Sequence, residues 1–514
     1  MKSKSTYPLI IGTLGFLLAV WACVRLGIHV YIYLGYPLPL DDGEGHVLNQ
    51  AILIASGQLP YSPINVAPYI VTNYPPLFPA IAASTFRFLG EIPVMTGVTV
   101  FPGLIVTRLI SVLSGLAIAF LIYRVSIKSG GNSDTSAISS LLFLAMPIVY
   151  FWFSIGKPDL LAIFLGLFGL YIGIANLEKG KRFYLALIPL ILAVFTRQSE
   201  IAPFLALTAF LFLKKDKRAV TFTIVYLVSI IAVTLILQIA TNGEYLKHII
   251  TYTRTQFYLP RLWSTWSFFF LNASLLLVVA FFHSAKEFSK RILSPALLYF
   301  CFAFLISLTS GKIGSDLNYF LETIVAAHIL LAVFLNYLLK EKVEFSGSLI
   351  ATCLVFLIAL DYAFIHDNRK YSYQPDKDDR TYATILVSII KDREGPILSE
   401  DEGFPAVCGK EVQFNPFIMT ELSKEGIWDQ TDFVNSIENK KYDLIILRFD
   451  VTNPNHEDKP GLGGYAGWDR WTEEMELAIR KNYKNYAAIP LRRQWYLYFP
   501  LRPEIIEKYG KPGE

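Results

Sequence analysis

The sequence predicts a polytopic α-helical membrane protein of about eleven transmembrane helices, with a long first outer loop and a small C-terminal α/β domain. Three observations carry this prediction. Apolar runs of about twenty residues recur along the first 366 positions, each long enough to cross a bilayer as a helix. Only 17% of residues are charged and 54% are hydrophobic, whereas a soluble domain carries about 25% charged residues. Past residue 366 the composition turns polar, and helix-like and strand-like segments alternate.

The expected crossings lie at roughly 8–28, 104–124, 137–155, 159–176, 183–199, 201–213, 220–240, 266–283, 294–310, 319–338 and 348–365, although 183–213 also reads as one re-entrant pair. The basic start Met1-Lys-Ser-Lys4 precedes an apolar stretch too long and aromatic for a signal-peptide core, so the first helix is read as retained. Alternate loops are basic: Arg124 and Lys128; Lys179, Lys181 and Arg182; Lys214 to Arg218; Lys286, Lys290 and Arg291; Lys340 and Lys342. The positive-inside rule then puts the N-terminus in the cytoplasm of a plasma-membrane protein and the C-terminal domain outside. A net charge of +4, scattered along the chain, gives no basic patch for nucleic acid. The four cysteines are far apart and form neither a metal-ligand spacing nor a disulfide framework.

The first outer loop, about 29–103, holds the densest polar motif, Leu38-Pro-Leu-Asp-Asp-Gly-Glu-Gly-His46. Asp41, Asp42 and Glu44 are too crowded for a helix interior, and Gly43 and Gly45 suit a loop that aims carboxylates at one point. Gly57-Gln-Leu-Pro-Tyr61 and Asn73-Tyr74-Pro-Pro-Leu77 follow. The stretch from about 77 to 103 is apolar but broken by Arg87, Glu91, Pro93 and Pro102, and reads as an amphipathic surface helix.

Under this topology other costly polar residues share the loop's side of the membrane. Lys157 and Asp159 stand between the third and fourth crossings, and Thr196-Arg197-Gln198-Ser-Glu200 ends the fifth. Arg254 and Arg261 sit in an aromatic loop. Lys312, Asn318 and Glu322 follow the ninth crossing, with Asn318 and Glu322 on one helical face by their i,i+4 spacing. Ionisable groups near hydrocarbon cost roughly 2.5–3.5 kcal/mol on insertion scales and usually line a site. Each has a plain alternative: a helix cap for Asp159, a headgroup contact for Arg197, a solvated charge for Lys312, a helix–helix pair for Glu322. Together they describe an outer-leaflet cavity with acids facing cations. A carboxylate there suits a general base for a hydroxyl, and the cations suit a departing phosphate.

In the C-terminal segment, 367–514, Asp367–Arg380 reads as a linker, Thr381–Lys391 and Trp471–Tyr483 as helices, and Gly395–Ser399, Lys441–Arg448 and Gln494–Phe499 as strands. Gly461-Leu-Gly-Gly464 reads as a turn rather than a phosphate loop.

On the ordered set Asp41-Asp-Gly-Glu44, Gly57-Gln-Leu-Pro-Tyr61, Tyr74-Pro-Pro-Leu77, Asp159 and Thr196-Arg-Gln-Ser199, the chain over about 8–365 resembles the GT-C superfamily of integral-membrane glycosyltransferases. Within it the chain looks most like protein mannosyltransferases and lipid-modifying transferases. The resemblance implies a polyprenyl-phosphate-linked sugar donor and a lipid, glycan or protein acceptor. It also implies inverting transfer, with a first-loop acid as base. The family usually has adjacent Asp-Glu there; here the order of preference is Asp42, then Glu44, then Asp41. Arg197, Lys312, Arg254 and Arg261 would bind the donor phosphate. Lys157, Asp159, Gln198, Asn318 and Glu322 would line the site, and Tyr61 and Tyr74 would shape the loop. Some members need a divalent cation, so Mg²⁺ or Mn²⁺ on Asp42, Glu44 and Asp159 is the corresponding expectation. The competing readings are a transporter or lipid flippase using the same charges as a pathway, and a partner-binding outer domain merely anchored by the helices.

Overall fold

A computed structural model of the chain describes residues 7–86, 88–95, 98–340, 344–362, 373–452 and 470–502. The charged start at Lys2 and Lys4, Lys342, most of the expected linker with the expected boundary at 366/367, and Gly461–Gly464 lie outside these residues.

The molecule is mostly helical. The first helix, α1 (Tyr7–Leu34), leads to α2 (Asp42–Ala55) and α3 (Leu77–Phe86). A short hairpin, β1 (Ile92–Met95) and β2 (Val98–Val100), precedes α4 (Gly103–Lys128). Then come α5 (Ser133–Ala145), α6 (Pro147–Phe153), α7 (Asp159–Ala175), α8 (Leu187–Val194), α9 (Ala202–Leu213) and α10 (Arg218–Ala240). After α11 (Glu244–Leu246), α12 (Leu259–Asn272) and α13 (Ser274–Ser289) meet at a sharp bend. The bundle ends with α14 (Pro295–Ser307), α15 (Leu321–Lys340) and α16 (Glu344–Leu360).

Local chemistry sets many of these ends. Asn132 caps α5 in a reciprocal capping box with Thr135, and Ser294 caps α14 ahead of Pro295 in the first turn. Pro147 cannot donate to a continuing helix, and α5 and α6 diverge there by 68°.

The chain is an integral, multi-pass membrane protein, but its crossings are less regular than eleven full spans. Among the described residues four helices are long and apolar enough to cross: Ile10–Leu34, Gly103–Lys128, Arg218–Ala240 and Leu317–Lys340. The pairs α5–α6 and α12–α13 pass only as bent spans. α8 and α9 have 8 and 12 residues, short of the roughly 20 a crossing needs. Between them lies the polar stretch 195–201, which contributes to the site instead. On α10, Val220, Ile224, Leu227, Ile231, Leu235 and Ile239 are all exposed, a face suited to lipid rather than water.

The expected surface helix over 77–103 is absent. α3 stops after 10 residues and buries Phe78, Ala82 and Phe86 instead of floating them at an interface. The following chain turns back as the β1–β2 hairpin, and Phe101 N–H donates to the Val407 carbonyl of the C-terminal segment at 2.9 Å.

In that segment a helix spans Lys377–Lys391, closed by a capping box between Asp376 and Asp379. A four-stranded sheet in the order β3-β4-β6-β5 is built from β3 (Ile397–Ser399), β4 (Leu444–Leu447), β5 (Tyr483–Pro490) and β6 (Gln494–Pro500). β3 and β4 are parallel, and the other pairings are antiparallel. β3 and β4 are buried on both faces, and β4 reads as an unbroken apolar run. Short helices at Gly403–Val407, Pro416–Lys424, Thr431–Glu438 and Glu473–Asn482 cover them.

Candidate active site

The first-loop acids do not form a loop. Asp41 is the N-cap of α2, accepting from Gly43 N–H at 3.0 Å, and Asp42 and Glu44 occupy its first turn. Carboxylates are favoured there by the unpaired amides and the helix dipole, which removes the objection that the trio is too crowded for a helix. Gly43 and Gly45 are helical and serve close approach. A methyl on Gly45 would overlap the Gly403 backbone, and one on Gly43 would meet the Lys157 side chain.

The three acids then part company. Glu44 is fully buried and accepts from Arg108 Nε at 2.8 Å and Nη2 at 2.9 Å, and from the backbone N–H groups of Leu40 and Gly156, each at 2.8 Å. Arg108 also donates to the carbonyls of Tyr33, Tyr36 and Leu38. Every lone-pair direction of Glu44 is used, so it fastens the loop and cannot serve as the base. Asp41 pairs with Lys157 at 3.1 Å. Asp42 pairs with both Arg448 and Arg470 of the C-terminal segment. Partial loss of water in the cavity would raise the Asp42 carboxyl, but Arg448 and Arg470 outweigh it and hold it well below the usual carboxylate range.

A cavity of about 740 Å³ opens between the helices and the C-terminal segment. Nine of the expected site residues line it: Asp41, Asp42, Tyr74, Lys157, Arg197, Gln198, Arg254, Lys312 and Asn318. Asp159 sits just behind, buried, bound to Arg197 at 3.1 Å and Asn318 Nδ2 at 2.7 Å, so it orients a cation and an amide that do reach the cavity. Arg197 lies over the Tyr319 ring at 4.9 Å. Gln198 donates to the Asn73 carbonyl at 3.1 Å.

Four more expectations are displaced from the cavity. Tyr61 packs against Tyr245 and His248 and donates to the Tyr74 carbonyl at 2.9 Å, so it braces the wall. Arg261 donates to the Lys312 carbonyl and to Ser315, holding the 311–316 loop rather than facing a ligand. Glu322 faces Glu200 and Tyr299 away from the cavity. Asn318 lies on a 3₁₀ turn, Leu317–Phe320, that leads into α15, and its amide reaches Asp159. Glu44 is the fourth.

The expected cation set fares differently. Asp42, Glu44 and Asp159 each answer to a different guanidinium, and Glu44 does not reach the cavity. Among the described residues no three His, Cys, Asp or Glu side chains gather as a metal site. That donor set does not fit Mg²⁺ or Mn²⁺.

The sequence reading missed the contribution of the C-terminal segment. Glu400, Asp401 and Glu402 follow β3, and Arg448 follows β4; the carboxyl ends of this parallel pair face the cavity, as ligand sites in parallel sheets commonly do. Arg492 and Arg493 come from the β5–β6 turn, and Arg470 precedes the Glu473–Asn482 helix. Burial, with the charge of Asp42 next, raises the Asp401 carboxyl to about 8. His46 meets Glu402 at 3.2 Å on the same wall. The run Ser399-Glu-Asp-Glu402 straight after three apolar residues was the available signal.

The chain resembles solved structures over 93% of its length. It superposes on ArnT from Cupriavidus metallidurans bound to undecaprenyl phosphate with a TM-score of 0.56 at 15% identity, covering 93% of this chain and 97% of that one. It also superposes on the archaeal oligosaccharyltransferase AglB from Archaeoglobus fulgidus, in complex with an inhibitory peptide and a dolichol-phosphate. The TM-score there is 0.52 at 11% identity, covering 93% of this chain and 74% of that one. No family model and no curated protein matches the chain. With nearly its whole length aligned to both, the chain shares the fold of these two structures.

Proposed function

We propose that the chain is a glycosyltransferase that moves a sugar from a polyprenyl-phosphate carrier to an acceptor hydroxyl on the extracytoplasmic side of the membrane. One observation carries this reading: a single cavity in a GT-C fold brings carboxylates of α2 opposite cations of the bundle. The solved neighbours bound to undecaprenyl phosphate and dolichol-phosphate support a lipid-linked donor of the same kind.

In this reading Asp42 takes the proton of the acceptor hydroxyl. The acceptor oxygen forms the new bond to the anomeric carbon from the face opposite the phosphate, so configuration inverts. The bond from that carbon to the phosphate oxygen breaks, and its electron pair leaves with the lipid phosphate. Arg197, Lys312 and Arg254 line the same cavity and stabilise the developing anion. Arg197 is pre-aimed by Asp159, which spares reorganisation during the reaction. Asp41 is the alternative base, because it has one cationic partner where Asp42 has two.

The direct test is incubation of the purified chain with a panel of radiolabelled polyprenyl-phosphate sugars and crude membrane acceptors. Label transfer that needs the lipid-linked donor supports the reading. Substrate crossing the membrane with no transfer supports the transport alternative instead.

A further inference from the structure

The carboxylate on which the proposed reaction depends is clasped by two arginines that do not need it for support. Arg448 donates to Asp42 through Nη1 at 3.1 Å and through Nη2, and Arg470 reaches the same carboxylate through its own Nη2. Both arginines are more than nine-tenths buried. Behind them stands Glu400, which accepts the Arg448 backbone N–H at 2.9 Å and lies 3.7 and 3.6 Å from the Nε atoms of Arg448 and Arg470. The Trp495 ring supports the Arg448 guanidinium at 4.8 Å. Their Nε edges are therefore turned back into the domain and their Nη edges forward to the cavity.

The other acids nearby are otherwise engaged. Asp401 lies 3.7 Å from Arg448 and caps Gly403 N–H, Glu402 turns to His46, and Asp41 turns to Lys157. Asp42 makes the close contacts on the forward face, with Asp401 Oδ2 farther off at 3.7 Å from Arg448 Nη2, and 44% of the Asp42 side chain remains exposed, leaving it room to swing away. The Arg493 side chain lines the same wall with no hydrogen-bond or ion-pair partner among the described residues. Burial, and then the charge of Arg448, lower its hold on its proton, as expected where cations exceed anions.

We propose that Arg448, Arg470 and Arg493 form a subsite for a phosphate-type oxyanion of the substrate, and that this anion displaces Asp42 and thereby frees it to act as the base. The arrangement is a latch: the guanidiniums that hold the carboxylate become the ligands of the substrate. Planar guanidiniums suit both partners, since carboxylate and phosphate offer matching oxygen pairs. The catalytic half of the inference rests on the transferase reading, while the anion subsite rests on this geometry alone.

The test is calorimetric titration of the full-length protein in lipid nanodiscs with inorganic phosphate. Exchange predicts an unusual sign: Asp42→Asn removes the competing carboxylate and tightens phosphate binding about tenfold, or about 1.4 kcal/mol. Arg448→Gln with Arg470→Gln abolishes that binding, and Arg493→Gln, which breaks no described bond, weakens it about threefold. Equal phosphate affinity in wild type and Asp42→Asn, or unchanged affinity in Arg493→Gln, would overturn the proposal. A short prenyl phosphate that competes with inorganic phosphate in a Lys312→Ala background assigns the subsite to the donor, and failure to compete assigns it to the acceptor. Sugar transfer enters none of these measurements, so a failure here leaves the transferase reading to its own test.

Discussion

Glu44 and Arg108 meet as a two-pronged ion pair with neither side chain exposed, and through it the first loop is riveted to α4. Removing one partner strands the other charge where neither side chain reaches solvent. Glu44→Ala is expected to destabilise the protein by about 3–5 kcal/mol. Thermal unfolding in detergent, with loss of protein from the membrane fraction, checks this. Wild-type stability in that variant would return Glu44 to the list of possible bases.

Backbone meets backbone where Gly45 of α2 packs against Gly403. A single methyl on Gly45 forces these segments apart, at about 1–3 kcal/mol, and carries Asp42 away from Arg448. Gly45→Ala is therefore expected to lose transfer almost completely while remaining folded. An assay of the variant beside its melting curve separates the two effects.

Lys312 faces the cavity and pairs with no carboxylate among the described residues. Lys312→Ala is expected to leave stability within about 0.5 kcal/mol and to raise the donor KM roughly tenfold, about 1.4 kcal/mol of lost phosphate contact. Arg197→Ala is a less clean probe, because it also leaves Asp159 buried without its cation. A defect of Lys312→Ala confined to acceptor KM would move Lys312 out of the donor site.

Asp401 gives a pH prediction of definite sign. Its folded-state carboxyl is raised to about 8, so between the ordinary carboxylate range and about 8 the folded protein binds more protons than the unfolded chain. Its contribution to stability is fully present at low pH and is lost as pH rises through that window. Asp401→Asn keeps an acceptor for Gly403 N–H and removes the titration. The variant's melting temperature should fall less than the wild type's between pH 4.5 and 8, values roughly bracketing the window. Parallel curves would mean that Asp401 titrates normally.

Much of this protein is written in local patterns. The apolar runs, the polar first loop and the helix ending at Lys391 need only periodicity and composition; strands β3, β4 and β6 fall where those patterns put them, while the observed helix Lys377–Lys391 begins four residues earlier, inside the expected linker, because the Asp376–Asp379 capping box starts it there. Arg108 was missed because a lone arginine inside an apolar run looks like part of a crossing; its partner Glu44 is 64 residues away. Arg448 and Arg470 are separated from Asp42 by 406 and 428 residues, and nothing local marks them as its partners. The acids after β3 become legible only once β3 is known to lie parallel to β4. Glycine had two meanings in the motif at 41–46, and the sequence could not distinguish a mobile turn from a helix pressed against a neighbour.

Asp42 is the pivot, and the most direct test substitutes it alone. Purified wild type and Asp42→Asn, matched for melting behaviour, are given a labelled polyprenyl-phosphate sugar and membrane acceptor. The account predicts rapid label transfer by wild type and loss of at least about 10³-fold in the variant, since an amide cannot take the proton. Transfer at the wild-type rate by Asp42→Asn would contradict it.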